Sequence, residues 1–198
     1  MRSDDDDHWI ISSLLDDLAS LALSRDRLSV ADIVETLGSR GFGPLIVLLA
    51  GMLILPVGML PGLPAAVAVL LILIGGRMMT GEQRIWLPAR LGRVTISGHL
   101  LAVSVARAQP AVLWLRPLLA PRLPFLIDSA LMARLVALIL MTTGAAIFIG
   151  GIIPGIPFVL SLHVLVLGLA MSARDGLVAL FGYAMLLPEL VFILRVFS

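Results

Sequence analysis

The sequence predicts an all-α integral membrane protein built around two helix–break–helix hairpins, and three observations carry that expectation. Of 198 residues, 60% are hydrophobic and 14% charged, with a mean hydropathy of +1.08, far outside the composition of a soluble domain. A Pro-Gly-x-Pro break occurs twice within apolar sequence, in Gly58-Met59-Leu60-Pro61-Gly62-Leu63-Pro64 and in Gly151-Ile152-Ile153-Pro154-Gly155-Ile156-Pro157. The match continues at the same offset of 93 positions, with Gly75 against Gly168, Met78 against Met171 and Glu82 against Asp175. The apolar body therefore reads as an internal duplication.

The chain divides into residues 1–43, an N-terminal pair of cytoplasmic amphipathic helices, and 44–198, a membrane domain. Residues 8–24 set Ile11, Leu14, Leu15, Leu18 and Leu21 on one helical face, with Ser12, Ser13, Asp16, Asp17 and Ser20 opposite. That polar face is acidic, which disfavours adsorption to anionic lipid and favours docking on protein. Asp4 to Asp7 likewise place acid where a secretory signal needs base. A second helix starts at Ser29, where Ser29 and Asp32 resemble a capping box, and ends near Gly38.

Repeat 1 covers 44–83 and holds apolar runs at 45–60 and 63–80. A proline lacks the backbone donor and fixes φ, and glycine admits positive φ, so the break between the runs ends one helix and starts another. The break is either a turn at the far membrane face or the tip of a re-entrant hairpin; run lengths near the minimum for about 30 Å of hydrocarbon favour spanning helices. Residues 84–130 carry Arg84, Arg90, Arg93, Arg107, Arg116 and Arg122 among Trp86, Trp114 and prolines, which suits interfacial helices. Repeat 2 covers 131–176, and a fifth apolar helix covers 177–195. If 84–130 does not cross, most arginines share a side with the N-terminus, which the positive-inside rule makes cytoplasmic, and the repeats are parallel. If a helix within 98–118 crosses, the repeats are inverted.

The absence of cysteine removes disulfides, thiolate metal sites and cysteine nucleophiles. A net charge of +1, with every basic residue an arginine, gives no basic face for nucleic acid. No zinc-protease, nucleophile-elbow or phosphate-loop signature is present, and His8, His99 and His163 are dispersed. No cofactor or metal is expected, and enzyme chemistry has no sequence support.

Two groups of residues remain as candidate binding positions. Pro61, Gly62, Pro64, Pro154, Gly155 and Pro157 form the breaks. Interrupted helices in transporters offer free N–H and C=O groups to a ligand, but a plain turn needs the same residues. His163 and Glu189 lie deepest within apolar runs. Counted from the turn near Ala173, they fall at similar depth on adjacent antiparallel helices and so can meet, which lowers the cost of holding either in hydrocarbon. The simpler alternative has His163 bonding a backbone carbonyl and Glu189 reaching the headgroups. Glu82 and Asp175 read as solvated turn residues. Small-residue faces at Gly75-Gly76, Gly144 and Gly168 suggest a homo-oligomer.

The runs Leu28-Ser29-Val30-Ala31-Asp32-Ile33 and Gly38-Ser39-Arg40-Gly41-Phe42-Gly43, the two Pro-Gly-x-Pro hairpins, Trp86-Leu87-Pro88 and Ala173-Arg174-Asp175-Gly176 together resemble the ExoD (exopolysaccharide synthesis) family of bacterial inner-membrane proteins. The resemblance implies a multi-pass protein of the inner membrane linked to exopolysaccharide production and envelope homeostasis; it carries no catalytic residues. Two functional readings follow. One is a protein that moves or gates an ion or a lipid-linked intermediate; the other is a non-transporting accessory subunit partnered with polysaccharide synthesis or export proteins.

Overall fold

The computed structural model describes residues 10–24, 27–29, 31–32, 34–35, 41–55, 58, 60, 62–82, 92–93, 95–115, 119–151, 153 and 155–197. Among the described residues the main helices are, in order, α1 (Ile10–Ser24), α2 (Phe42–Ile54), α3 (Leu63–Thr80), α4 (Gly98–Leu115), α5 (Phe125–Asp128), α6 (Ala130–Gly150), α7 (Ile156–Ala173) and α8 (Gly176–Phe197). The one departure from an all-helical chain among the described residues is a short antiparallel ribbon. Strand β1 (Arg27–Ser29) pairs with β2 (Thr95–Ser97), Leu28 opposite Ile96. This corrects the expectation of helix alone across 84–130. Three-residue strands are too short to display a period-2 pattern, and the pairing joins the N-terminal module to the middle segment.

The helix ends follow from proline and glycine. Gly62 (φ 87°) and Gly155 (φ 97°) sit in the left-handed region as the residues preceding α3 and α7, and Pro64 and Pro157 stand at the second helical position of each. The bonding repeats position for position: Leu63 N–H donates to Leu60 O and Ala66 N–H to Gly62 O, while Ile156 N–H donates to Ile153 O and Val159 N–H to Gly155 O. The far ends also correspond. Glu82 N–H donates to Arg77 O, and Asp175 N–H to Ala170 O, each closing its helix behind a left-handed residue, Gly81 and Arg174 respectively. One expected run is shorter than its apolar sequence. Helix α2 stops at Ile54, 13 residues long and therefore about 20 Å, rather than running to 60. Pro56 forbids the α region to Leu55, whose ψ is 162°; the position 93 residues later is Ile149, and α6 continues through it.

Helix α3 lies antiparallel along α6, and α2 lies antiparallel along α7. Added side-chain atoms at four glycines report how closely the backbones approach. A Cβ at Gly75 would stand 2.6 Å from Ala137 O, and one at Gly144 2.7 Å from Ala68 O. In the other pair, a Cβ at Gly43 would stand 2.8 Å from Ser172 N, and one at Gly168 2.9 Å from Val47 N. Without a hydrophobic drive between helices in lipid, such backbone contact is what holds a bundle. It also corrects the role assigned to these glycines: Gly75, Gly144 and Gly168 are filled by the chain's own helices, and of that set Gly76 alone meets nothing within 4 Å.

The directions of these helices bring both breaks to one end of the bundle, where a Cβ at Gly151 would lie 3.8 Å from Pro64 Cβ. Residues 81–129 accordingly begin and end at the opposite end. There α1 packs along α4, and Gly176 N–H donates to Arg122 O at 2.6 Å. Among the described residues, three helices are long and apolar enough to cross a membrane, Leu63–Thr80, Ala130–Gly150 and Ile156–Ala173. Exposed apolar stripes run along α6 through Leu131, Leu135, Leu138 and Ile149, and along α8 through Leu177, Leu180, Leu187 and Val191. At 1.5 Å per residue the α6 stripe covers about 27 Å, which fits contact with lipid.

Candidate functional site

Polar side chains inside this bundle gather where α6, α7 and α8 meet. Helix α7 turns His163 to a position of 0% exposure. Its Nε2 lies 2.9 Å from Thr143 Oγ1 of α6, and its Nδ1 hydrogen-bonds Glu189 Oε2 of α8. Thr143 and Glu189 are themselves buried, at 5% and 6% exposure. The ring therefore spends both nitrogens on neighbours from two other helices. Glu189 Oε1 and Tyr183 Oη, both on α8, are buried without a hydrogen-bond partner among the described residues. Pro188 sits within α8 directly before Glu189 and removes the N–H that would have bonded the carbonyl of Ala184.

The sequence brings His163 and Glu189 together by depth alone, and the structure brings them into contact. Glu189 is buried and bonded to His163, and both ring nitrogens of His163 meet side chains where the simpler alternative had a backbone carbonyl. Removing one partner of a buried ion pair typically costs about 3–5 kcal/mol because the other charge is left uncompensated. Thr143 escaped sequence reading. Its signal lies in the helix ends: α6 stops at Gly150 and α7 starts at Ile156, so positions 143 and 163 stand equally far from Ile153 at the middle of that connection, and a hairpin brings such positions side by side.

The break residues resolve into turns. The amide of Leu63 and that of Ile156 are taken by the turn itself, and Pro64 and Pro157 have none to offer, so two of the four orphan donors of each helix start are removed. Gly62 and Gly155 have open space at their Cα atoms; Pro61 and Pro154 lie outside the described residues. No bond joins either break to the His163 cluster among the described residues.

Asp175 is buried at 0% exposure and is not the solvated turn residue its neighbours suggested. One carboxylate oxygen accepts from Leu177 N–H at 3.0 Å and Val178 N–H at 3.4 Å, capping α8, and the other accepts from Ala120 N–H at 3.0 Å. Its counterpart Glu82 does remain exposed, paired with Arg77. Arg174 leaves the left-handed turn to grip Asp128 with two nitrogens, at 2.7 and 3.3 Å. Asp175 thus fastens the loop before α5 to the start of α8, a structural duty. At the N-terminal module, Ser29 and Asp32 form the expected reciprocal cap, Asp32 N–H to Ser29 Oγ at 3.1 Å and Ser29 N–H to Asp32 Oδ2 at 3.0 Å.

Comparison with known proteins agrees with this architecture's expected kin. The family model described as "Exopolysaccharide synthesis, ExoD" matches residues 11–195. Protein ExoD of Rhizobium meliloti (strain 1021) is 30% identical over 183 residues, covering 91% of this chain and 75% of that protein. No solved structure matches the chain. With nearly its whole length matched, the chain belongs to the ExoD family linked to exopolysaccharide synthesis.

Proposed function

We propose that this protein serves exopolysaccharide synthesis by moving or gating an ion across the inner membrane, with Thr143, His163 and Glu189 as its working centre. The observation that carries this reading is the cluster itself. Ionisable groups inside a membrane bundle are costly and concentrate on ion and proton pathways, and this pair is held between helices with one carboxylate oxygen unpartnered among the described residues.

Several finer elements belong to the same reading. The hairpins at 44–83 and 131–176 are copies of one unit arranged in parallel, supported by the matching bonds 93 residues apart and by the adjacency of the two breaks. The N-terminus and 84–130 face the cytoplasm, where the arginines gather. Self-association would use the lipid-facing stripes of α6 and α8 or the open face at Gly76 rather than the filled glycines. The accessory-subunit reading loses much of its appeal because α1, its docking element, already packs along α4 of the same chain.

Purified protein reconstituted into liposomes tests the proposal. Protons, sodium, potassium and a polyprenyl-linked sugar are offered in turn, each against empty vesicles. Movement of an ion supports the reading; movement of the lipid-linked sugar alone shifts it to that substrate; no movement of any of them removes it.

A further inference from the structure

We infer that the Thr143–His163–Glu189 cluster is a proton-binding site, holding one exchangeable proton between imidazole and carboxylate. This rests on the ion-moving reading above and names its ion.

The donor set decides against other ligands. Both ring nitrogens are already engaged, Nε2 with Thr143 and Nδ1 with Glu189, so no lone pair is left for a transition metal. Hard cations take about six oxygen ligands, whereas one buried carboxylate oxygen, Glu189 Oε1, lacks a partner here. No cluster of three or more His, Asp or Glu side chains occurs among the described residues. A phosphate-bearing headgroup would face a carboxylate and no cation, within side chains only 1% and 7% exposed.

Charge counting then sets the occupancy. With one proton the pair is neutral overall, either as imidazole and carboxylic acid or as imidazolium and carboxylate. With none it carries −1, and with two +1, each expensive in a bundle core. Among the described residues of the packed helices, no further charge changes that balance. Helix α6 contributes Thr143, α8 contributes Glu189 and Tyr183, and α2, packed along the other side of α7, has no ionisable residue between Phe42 and Ile54. The one ionisable residue of α3, Arg77, lies in its last turn and pairs with Glu82. Loading takes one proton from water to form a single N–H or O–H bond, and unloading returns it to water, with no change of oxidation state. Glu189 Oε1, buried without a partner among the described residues, is the carboxylate oxygen left to take the proton.

The corresponding positions of the first hairpin are apolar. The positions 93 residues before Thr143 and His163 are Ala50 and Leu70, buried at 0% and 2% exposure. The first hairpin thus buries apolar side chains at both of these positions. The second has polar ones in their place, and only there does an additional helix, α8, bring a carboxylate.

Solid-state NMR of protein labelled with 15N-histidine and 13C-glutamate in lipid bilayers tests the inference without measuring flux. The His163 signal is identified by its loss in His163→Gln, and spectra are taken at acidic, neutral and alkaline pH. The expected result is that His163 and the Glu189 carboxyl change state together over one pH step, that Glu189→Gln displaces the His163 change, and that sodium or zinc leaves it in place. A His163 signal that stays constant over the whole range, or one that moves independently of the Glu189 carboxyl, overturns the inference. So does a His163 signal that follows added metal. Should Glu189→Gln not fold, the joint movement in the wild type still decides. A positive titration with no ion flux in liposomes would sink the ion-moving reading while leaving the proton site standing, so the two failures are distinguishable.

Discussion

Replacing Gly75 with alanine probes the seam on which the arrangement of hairpins depends. The new Cβ would lie 2.6 Å from both Ala137 O and Met141 Cγ. Ordinary contact begins at 3.4 Å, so the overlap is about 0.8 Å. Met141 can swing its side chain aside, but a helix carbonyl can retreat only if α3 and α6 separate, along a seam that Gly144 also keeps narrow. Overpacking of this kind costs about 1–3 kcal/mol. An alanine gains about 1 kcal/mol over glycine in helix propensity, which masks part of the loss. The adjacent variant Gly76→Ala removes that ambiguity, since it receives the same propensity gain and meets no atom within 4 Å. The difference between the two variants therefore reads the clash alone, about 1–3 kcal/mol in favour of Gly76→Ala. Gly168→Ala, with a nearest approach of 2.9 Å to Ile46 and Val47, should fall between them. Equilibrium unfolding in mixed micelles with increasing denaturing detergent measures all three. Equal stability of Gly75→Ala and Gly76→Ala would refute the close packing of α3 on α6 and with it the placement of both breaks at one end.

Two other outcomes follow from the same geometry. Asp175→Ala removes the cap of α8 and leaves Ala120 N–H without its acceptor, a loss of about 2–3 kcal/mol, whereas Glu82→Ala at the corresponding exposed position should cost under about 1 kcal/mol; the same unfolding assay compares them. Single cysteines are informative in a chain that has none of its own: Leu60→Cys and Ile153→Cys should label from one side of the membrane and Ser97→Cys and Ser129→Cys from the other, and labelling of all four from one side would contradict the proposed topology.

Much of the bundle was legible because proline and glycine act locally. The starts of α3 and α7 and the end of α7 follow from Pro-Gly-x-Pro and from the Ala173–Gly176 turn without reference to anything distant. The early stop of α2 obeys the same rule, through Pro56, but is hidden by an apolar run that continues past it. What sequence reading lost depends on partners far along the chain. Asp175 looks solvated beside Arg174 until the loop at Ala120, 55 residues earlier, folds over it. The ribbon needs residues 27–29 and 95–97 to meet, and neither strand is long enough to announce itself. The glycine faces suggested a partner chain because nothing local distinguishes a helix that packs within its own bundle from one that packs on a second copy. His163 and Glu189 were recoverable because helical rise converts position into depth; Thr143 required the added step of folding the hairpin about Ile153.

The most direct measurement of the central claim is exopolysaccharide output by cells that lack this protein and are supplied with wild type, His163→Gln or Glu189→Gln at matched membrane levels. If the buried cluster is the working centre, wild type restores output while Glu189→Gln leaves it at the level of cells without the protein, and His163→Gln falls well short of wild type. Full restoration by both variants, with each confirmed folded in the membrane, would contradict the account and reduce the cluster to a packing feature of the second hairpin.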